Sequence, residues 1–303
     1  MPQTFPGAAC EVVIVNYNAG PVLTEAVRAI LPCPSVREVI VVDNRSQDGS
    51  VEHLESALPG ETRLRVIRNS GNLGFAAGCN TAMAFFQSPY QLFINPDCLV
   101  DPLSIGEMIG TLELNPDAGM AGPLLVNTDG SEQSGGRRGV PTPWRSFVRA
   151  FGLSRFSNRY PRLFSDFLMH KEPLPDRPID IEAISGACML VRNRALLEVG
   201  PLDAGYFMHC EDLDWCMRFR QRGWKILFVP EARVVHYLGA CSRSRPIFVE
   251  WHKHKGMMRF YRKFFRHQYP GVLMWLVALG VWLRFGVLVL YYLGQRLGRA
   301  LGA

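Results

Sequence analysis

Two short runs of apolar, largely β-branched residues, at 11–16 and 37–43, and two further strand-like stretches, at 64–68 and 91–94, alternate with helical stretches through the first third of the chain. A nearly continuous apolar run of this length is what a strand buried on both faces requires. The intervening stretches at about 21–31, 51–58 and 75–86 read as helices, the second introduced by turn and cap residues at 46–50. Such alternation predicts βαβ units: an α/β, Rossmann-like, mostly parallel sheet with flanking helices. Ligands of such sheets sit beyond the carboxyl ends of the strands. Polar residues fall at all four ends: Asn16, Tyr17 and Asn18, then Asp43 and Asn44, then 69–78, then Asn95, Pro96 and Asp97. No GxGxxG follows the first run and no GxxxxGK[ST] occurs, which argues against a dinucleotide site or a P-loop.

Further along, Glu211, Asp212 and Asp214 crowd into four positions behind Tyr206, Phe207 and Met208. A helix over 211–223 places Asp212, Trp215, Cys216 and Phe219 on one side and lets Asp214 reach Arg218 one turn on. Acids in a first turn are favoured by the helix dipole, so capping alone could explain them. An apolar surrounding could equally raise one of them toward general-base values.

The 303 residues suffice for a large core. A net charge of +6, concentrated after residue 240, points to an anionic partner and favours a lipid surface over nucleic acid. Eight cysteines form no CxxC pair and sit mostly in apolar runs, as small buried hydrophobes of a reducing compartment do. The N-terminus lacks the charged and apolar blocks of a signal peptide, which places the enzyme-like part in the cytoplasm.

The order of these blocks carries a resemblance. Residues 13–18 (VIVNYN), 41–44 (VVDN) with Ser46, Asp48 and Gly49, and 72–80 (NLGFAAGCN) resemble the opening blocks of family-2 inverting glycosyltransferases of the GT-A fold. Asn95-Pro96-Asp97 resembles their DxD metal block, with Asn in the first place. Ser185, Gly186 and Ala187, then Glu211 to Asp214, then His236 are similar to later blocks of the rhamnosyltransferase and galactofuranosyltransferase branch. The resemblance covers about residues 10–240. It implies that Asn16, Tyr17, Asn18 and Asp43 line the nucleotide, that Asn72, Gly74 and Asn95 hold the sugar-nucleotide, and that Ser185 and Gly186 flank the donor sugar or acceptor. It implies Asp97 and His236 as ligands of Mn²⁺ or Mg²⁺, an oxygen and imidazole set without the thiolates zinc favours. It implies Asp212 as the base and Glu211 as its helper, although the two could exchange roles. Arg218, Arg222 and Trp224 either approach the diphosphate or cover the helix. Residues 128–178, rich in Gly, Pro and Arg, read as a mobile acceptor loop with short helices.

Beyond a catalytic domain at 1–245, a segment at 246–303 carries basic and aromatic residues interleaved at 252–267, as on an anionic membrane surface. Residues 272–293 hold a single charge, Arg284, and are long enough to span a bilayer. Arg266, Arg296 and Arg299 flank both ends, so charge does not orient the segment and spanning or in-plane attachment both stay open. The expected protein is a metal-dependent inverting glycosyltransferase at the cytoplasmic face of the inner membrane. It would move a sugar, rhamnose by resemblance, from a nucleotide-diphosphate donor to a lipid-linked or glycan acceptor. A sugar-nucleotide nucleotidyltransferase would carry a Gly-rich, basic loop where this chain has Asn16 to Gly20. An inactive scaffold would have had no need to keep Asp97, Asp212 and His236.

Overall fold

The computed structural model describes residues 9–157, 159–237 and 245–300. Residues 1–8, on which the expectation of no signal peptide rests, and Cys241 lie outside them; the seven described cysteines are all buried. In chain order the elements are β1 (Cys10–Asn16), α1 (Val22–Ile30), β2 (Val36–Asp43), α2 (Ser50–Ala57), β3 (Leu64–Arg68), α3 (Phe75–Ala82), β4 (Tyr90–Ile94), β5 (Cys98–Val100), α4 (Pro102–Leu114) and β6 (Ala118–Val126). They continue as β7 (Arg137–Arg138), α5 (Pro143–Ala150), α6 (Pro161–Phe164), β8 (Ile179–Asp180), β9 (Ala183–Ile184), β10 (Cys188–Arg192), α7 (Asn193–Val199), α8 (Glu211–Gln221), β11 (Lys225–His236), α9 (Pro246–Phe265) and α10 (Gly271–Ala300).

One sheet runs in the order β3-β2-β1-β4-β10-β6-β11-β5, with β8 added to β11. β3, β2, β1 and β4 are parallel, as the alternation predicts. Beyond β4 the sheet is mixed, because β10 runs antiparallel to both neighbours and β11 returns parallel to β6. The register of β11 slips between Val229 and Arg233, around Pro230, whose missing N–H interrupts a ladder.

Every residue of β1 is buried, and its side chains alternate between two cores. Val13 and Val15 join Ile40, Val42 and Phe93 under α3, α8 and α9. Val12 and Ile14 join Val39, Val41, Leu92 and Ile94 under α1 and α4. Trp215 of α8 is fully buried, edge-on to Phe93 at 5.2 Å and to Phe219 at 5.4 Å, and its Nε1 donates to Gly200 O. This anchors α8 so that its first turn points along the carboxyl edge of the sheet.

α9 follows the catalytic body closely. Its Met258, Phe260, Tyr261 and Phe265 enter the same core as Trp215, and Val281 of α10 packs behind them. α10 is 30 residues long and apolar enough to cross a membrane by length and composition, with little of it buried. Most of its large apolar side chains, Trp275, Leu283 and Leu290 among them, face outward.

Candidate active site

The loops after β1, β2 and β3 are laced together by short polar side chains. Asn16 is completely buried, and its Nδ2 lies 2.9 Å from Asp43 Oδ1, 3.0 Å from Ser46 Oγ and 2.9 Å from Ser50 Oγ. Asp43 Oδ1 also accepts from Ser46 Oγ at 2.6 Å, and its Oδ2 accepts from Ser46 N at 3.1 Å. Both side chains are therefore satisfied inside the protein, with half-buried Tyr17 and exposed Asn18 outside them. Asn44 Nδ2 donates to Gly74 O at 3.1 Å, and Asn72 Oδ1 accepts from Gly74 N at 3.0 Å. Gly74 has φ +84°, and a Cβ there would stand 2.3 Å from Phe207 O. Glycine at this position is accounted for by backbone meeting backbone, since Phe75 N donates to that same carbonyl at 2.9 Å.

Strand pairing brings the remaining candidates to the same edge. His236 ends β11 opposite Cys98 of β5, one residue past Asp97. Its Nε2 lies 3.2 Å from Asp97 Oδ1, and Asp97, Cys98 and His236 form a group whose donor atoms are within 4.8 Å of one another. The other ring nitrogen, Nδ1, is 2.7 Å from Gln133 Oε1. An amide oxygen can only accept, so the network places a proton on Nδ1, while Nε2 is the nitrogen turned to Asp97. Gln133 is itself held, its Nε2 donating to Asn127 Oδ1 and His236 O.

Asp212 sits in the first turn of α8, behind His209 and Cys210, both at positive φ. Its Oδ2 accepts from Gly186 N at 2.9 Å and from the guanidinium of Arg138. The next residue along, Ala187, accepts from Asn95 N at 2.9 Å through its carbonyl. Residues 185–187 therefore separate Asp212 on one side from Asn95-Pro96-Asp97 on the other. Glu211 makes neither the Gly186 nor the Arg138 contact, and its Oε2 is buried without a hydrogen-bond partner among the described residues. Burial, and then the adjacent Asp212 charge, push the Glu211 carboxyl up to about 8.

Asp214 is fully buried and structural. Arg218 Nε donates to it at 2.7 Å while the same guanidinium caps the carbonyls of Val199 and Pro201. Lys263 of α9 reaches its other oxygen at 2.6 Å, beside Tyr206 Oη. Trp224 Nε1 donates to Glu198 at 2.9 Å. Residues 128–178 carry the short helices α5 and α6 and the β7 strand.

Two site residues lay outside the sequence reading. Arg138 reaches Asp212 only because β7 pairs with β9, two residues each, too short to leave any periodicity. Gln133 shows no signal beyond its place in a polar turn.

A parallel αβ half-sheet, a polar carboxyl edge, and a carboxylate paired with an imidazole beside an acid-led helix together define a GT-A glycosyltransferase fold. Comparison with known proteins agrees: residues 11–199 match glycosyl transferase family 2, and the chain belongs to that family. It is 31% identical over 239 residues to the N-acetylglucosaminyl-diphospho-decaprenol L-rhamnosyltransferase of Mycobacterium tuberculosis, covering 75% of each chain. It is 26% identical over 185 residues to rhamnosyltransferase WbbL of Escherichia coli, 58% of this chain and 65% of that one. Among solved structures, it superposes on GalNAc-T7 with UDP, GalNAc and Mn²⁺ at a TM-score of 0.57 and 18% identity, over 76% of this chain and 44% of that one. The mannosyltransferase PcManGT of Pyrobaculum calidifontis, solved with GDP-Man and Mn²⁺, gives 0.57 at 16% identity, over 85% and 64%.

Proposed function

We propose that this enzyme transfers a sugar, rhamnose by its relatives, from a nucleotide-diphosphate donor to a lipid-linked acceptor with inversion at the anomeric carbon. The observation that carries this reading is the 185–187 segment, which has Asp212 on its N–H side and the Asn95-Pro96-Asp97 turn on its carbonyl side. An attacking group and a leaving group on opposite faces of one carbon need that separation. Asp212 accepts the proton of the acceptor hydroxyl as its oxygen bonds to the anomeric carbon. The bond from that carbon to the diphosphate oxygen breaks, and the electron pair leaves with the diphosphate. No covalent sugar–enzyme stage is required.

Asp212 is preferred over Glu211 because it lies against Gly186 and Arg138, whereas Glu211 Oε2 is buried without a hydrogen-bond partner among the described residues. Asn16 has no exposed surface and acts by holding Asp43, while Tyr17, Asn18 and Asn72 offer groups to the nucleotide. Gly74, Asn95, Ser185 and Gly186 shape the sugar pocket.

The residues present fit a divalent ion. Asp97 supplies a hard carboxylate oxygen and His236 an imidazole nitrogen, with the ring fixed from behind by Gln133, the arrangement that metal-bound imidazoles share. Mn²⁺ or Mg²⁺ held there would neutralise charge on the departing diphosphate.

The catalytic domain, 1–245 in this reading, would work at the cytoplasmic face of the inner membrane, with 246–303 attaching it. The experiment is a panel of nucleotide sugars assayed with Mn²⁺ and a polyprenyl-diphosphate-linked N-acetylglucosamine acceptor, with NMR of the new anomeric centre. No transfer from any donor, or a product of retained configuration, ends the proposal.

A further inference from the structure

How α10 meets the membrane is constrained by what it is fastened to. Met274, Val277, Ala278 and Val281 pack on the catalytic core, and Trp251 of α9 meets Trp282 at 5.3 Å and Phe285 at 5.6 Å. The first half of α10 therefore lies along α9, which is itself sewn into the body through Phe260, Tyr261 and Phe265. Only residues 286–300 extend past these contacts, about 22 Å of helix against a hydrocarbon core of about 30 Å. That remainder is too short to span.

Spanning by the whole helix meets a second obstacle. Beside Trp282 lies a cavity of about 490 Å³ lined by Lys255, Arg259, Arg262, Lys263, Met258 and Gly205. A transverse α10 would carry these cations to the bilayer centre, at a cost on the order of 3 kcal/mol each. Arg259 and Lys263 are paired with Asp203 at 2.9 Å, but among the described residues neither Lys255 nor Arg262 forms an ion pair. Four cations against two carboxylates, Asp203 and the Asp214 that Lys263 also reaches, leave an excess of positive charge. The cavity wall opposite them is an indole, the side chain that settles at the headgroup level of a membrane. Trp275 and Tyr291 are also exposed on α10, at 64% and 58%.

We infer that α10 lies in the plane of a single leaflet and that this cavity seats the phosphate of an anionic phospholipid. The cations then stand at the depth of the phosphates, and the outward apolar face of α10 enters the acyl region. This does not depend on the sugar-transfer reading.

Flotation of the full chain with vesicles tests it. Three compositions are compared: phosphatidylcholine alone, the same with about a third phosphatidylglycerol, and the same with a trace of polyprenyl diphosphate. Binding should be at least about tenfold tighter with phosphatidylglycerol. The double variant Lys255→Ala/Arg262→Ala should lose that gain while keeping its affinity for phosphatidylcholine and its circular dichroism spectrum. Equal loss on both vesicles, or a gain seen only with the diphosphate lipid, overturns the phospholipid site. For the orientation, Gln295→Cys is treated with a membrane-impermeant maleimide on sealed vesicles bound from outside, with wild type as background. Labelling of the intact vesicles is expected, and protection until detergent is added overturns the in-plane arrangement.

Discussion

Arg138 and Asp212 stand 74 residues apart in the chain and form one ion pair at the start of α8. The pair holds the carboxylate in place where little water reaches it, with Gly186 N as a second donor. Asp212→Asn retains the shape and both neighbours but cannot take a proton. Turnover should fall by about 10²–10⁴, while the dissociation constant of the donor, measured calorimetrically, stays within about threefold. Undiminished turnover would remove Asp212 from the chemistry.

Glu211 gives a pH signature in stability. Folded, it keeps its proton to about pH 8; unfolded, it releases it near its ordinary value of 4.5. Between those limits only the unfolded chain gains by ionising, so stability present below about pH 4.5 is progressively lost up to about pH 8. Glu211→Gln lacks this dependence. Relative to the variant, wild type should weaken by about 1.4 kcal/mol per pH unit across that window. Urea unfolding of both proteins at pH 5.5 and 7.5 (values chosen about a unit inside each limit) reads the difference directly, and a constant gap would contradict the buried neutral acid.

Gln133 acts on His236 from the side away from Asp97. Gln133→Leu frees the ring to rotate and to move its proton to Nε2. Affinity for Mn²⁺, followed by the loss of the free-ion EPR signal without any substrate, should drop about 10–100-fold. Asp97→Asn should weaken it further. Wild-type affinity in both variants would place the ion elsewhere.

Gly74→Ala asks an L-residue to hold φ +84° with its new methyl 2.3 Å from Phe207 O. Backbone on both sides leaves nothing flexible to yield, so a loss of about 2–4 kcal/mol is expected in denaturant unfolding. A change below about 0.5 kcal/mol would show that the contact is not held in solution.

Much of the parallel half was legible because β1, β2 and β4 are almost wholly buried, while β3 at the edge is half-buried and was legible from its place in the alternation. The runs at 64–68 and 37–43 reappear as β3 and β2 with ends shifted by no more than one residue. The helix expected over 75–86 ends as α3 at Ala82 and tightens into a 3₁₀ turn at Met83–Phe85. β5 and β7 were not legible: three and two residues carry no period, and their existence depends on partners far along the chain. The same holds for the site. Asp97, His236 and Asp212 stand out by residue type and order, whereas Arg138 and Gln133 matter through contacts that only tertiary pairing creates. The basic face of α9 was read as membrane-facing, yet Lys263 and Arg259 also bind Asp203, and Lys263 reaches Asp214 inside the catalytic body.

The lysine that reaches Asp214 has a consequence for how the enzyme handles an insoluble acceptor. α9 touches α10 with one part of its surface and the acid-bearing turn with another, so the two cannot drift independently. Docking at the bilayer would set the height and tilt of the reaction centre above the phosphates. An acceptor tethered in the leaflet would then meet the base at a fixed reach, without the enzyme having to leave the surface between turnovers.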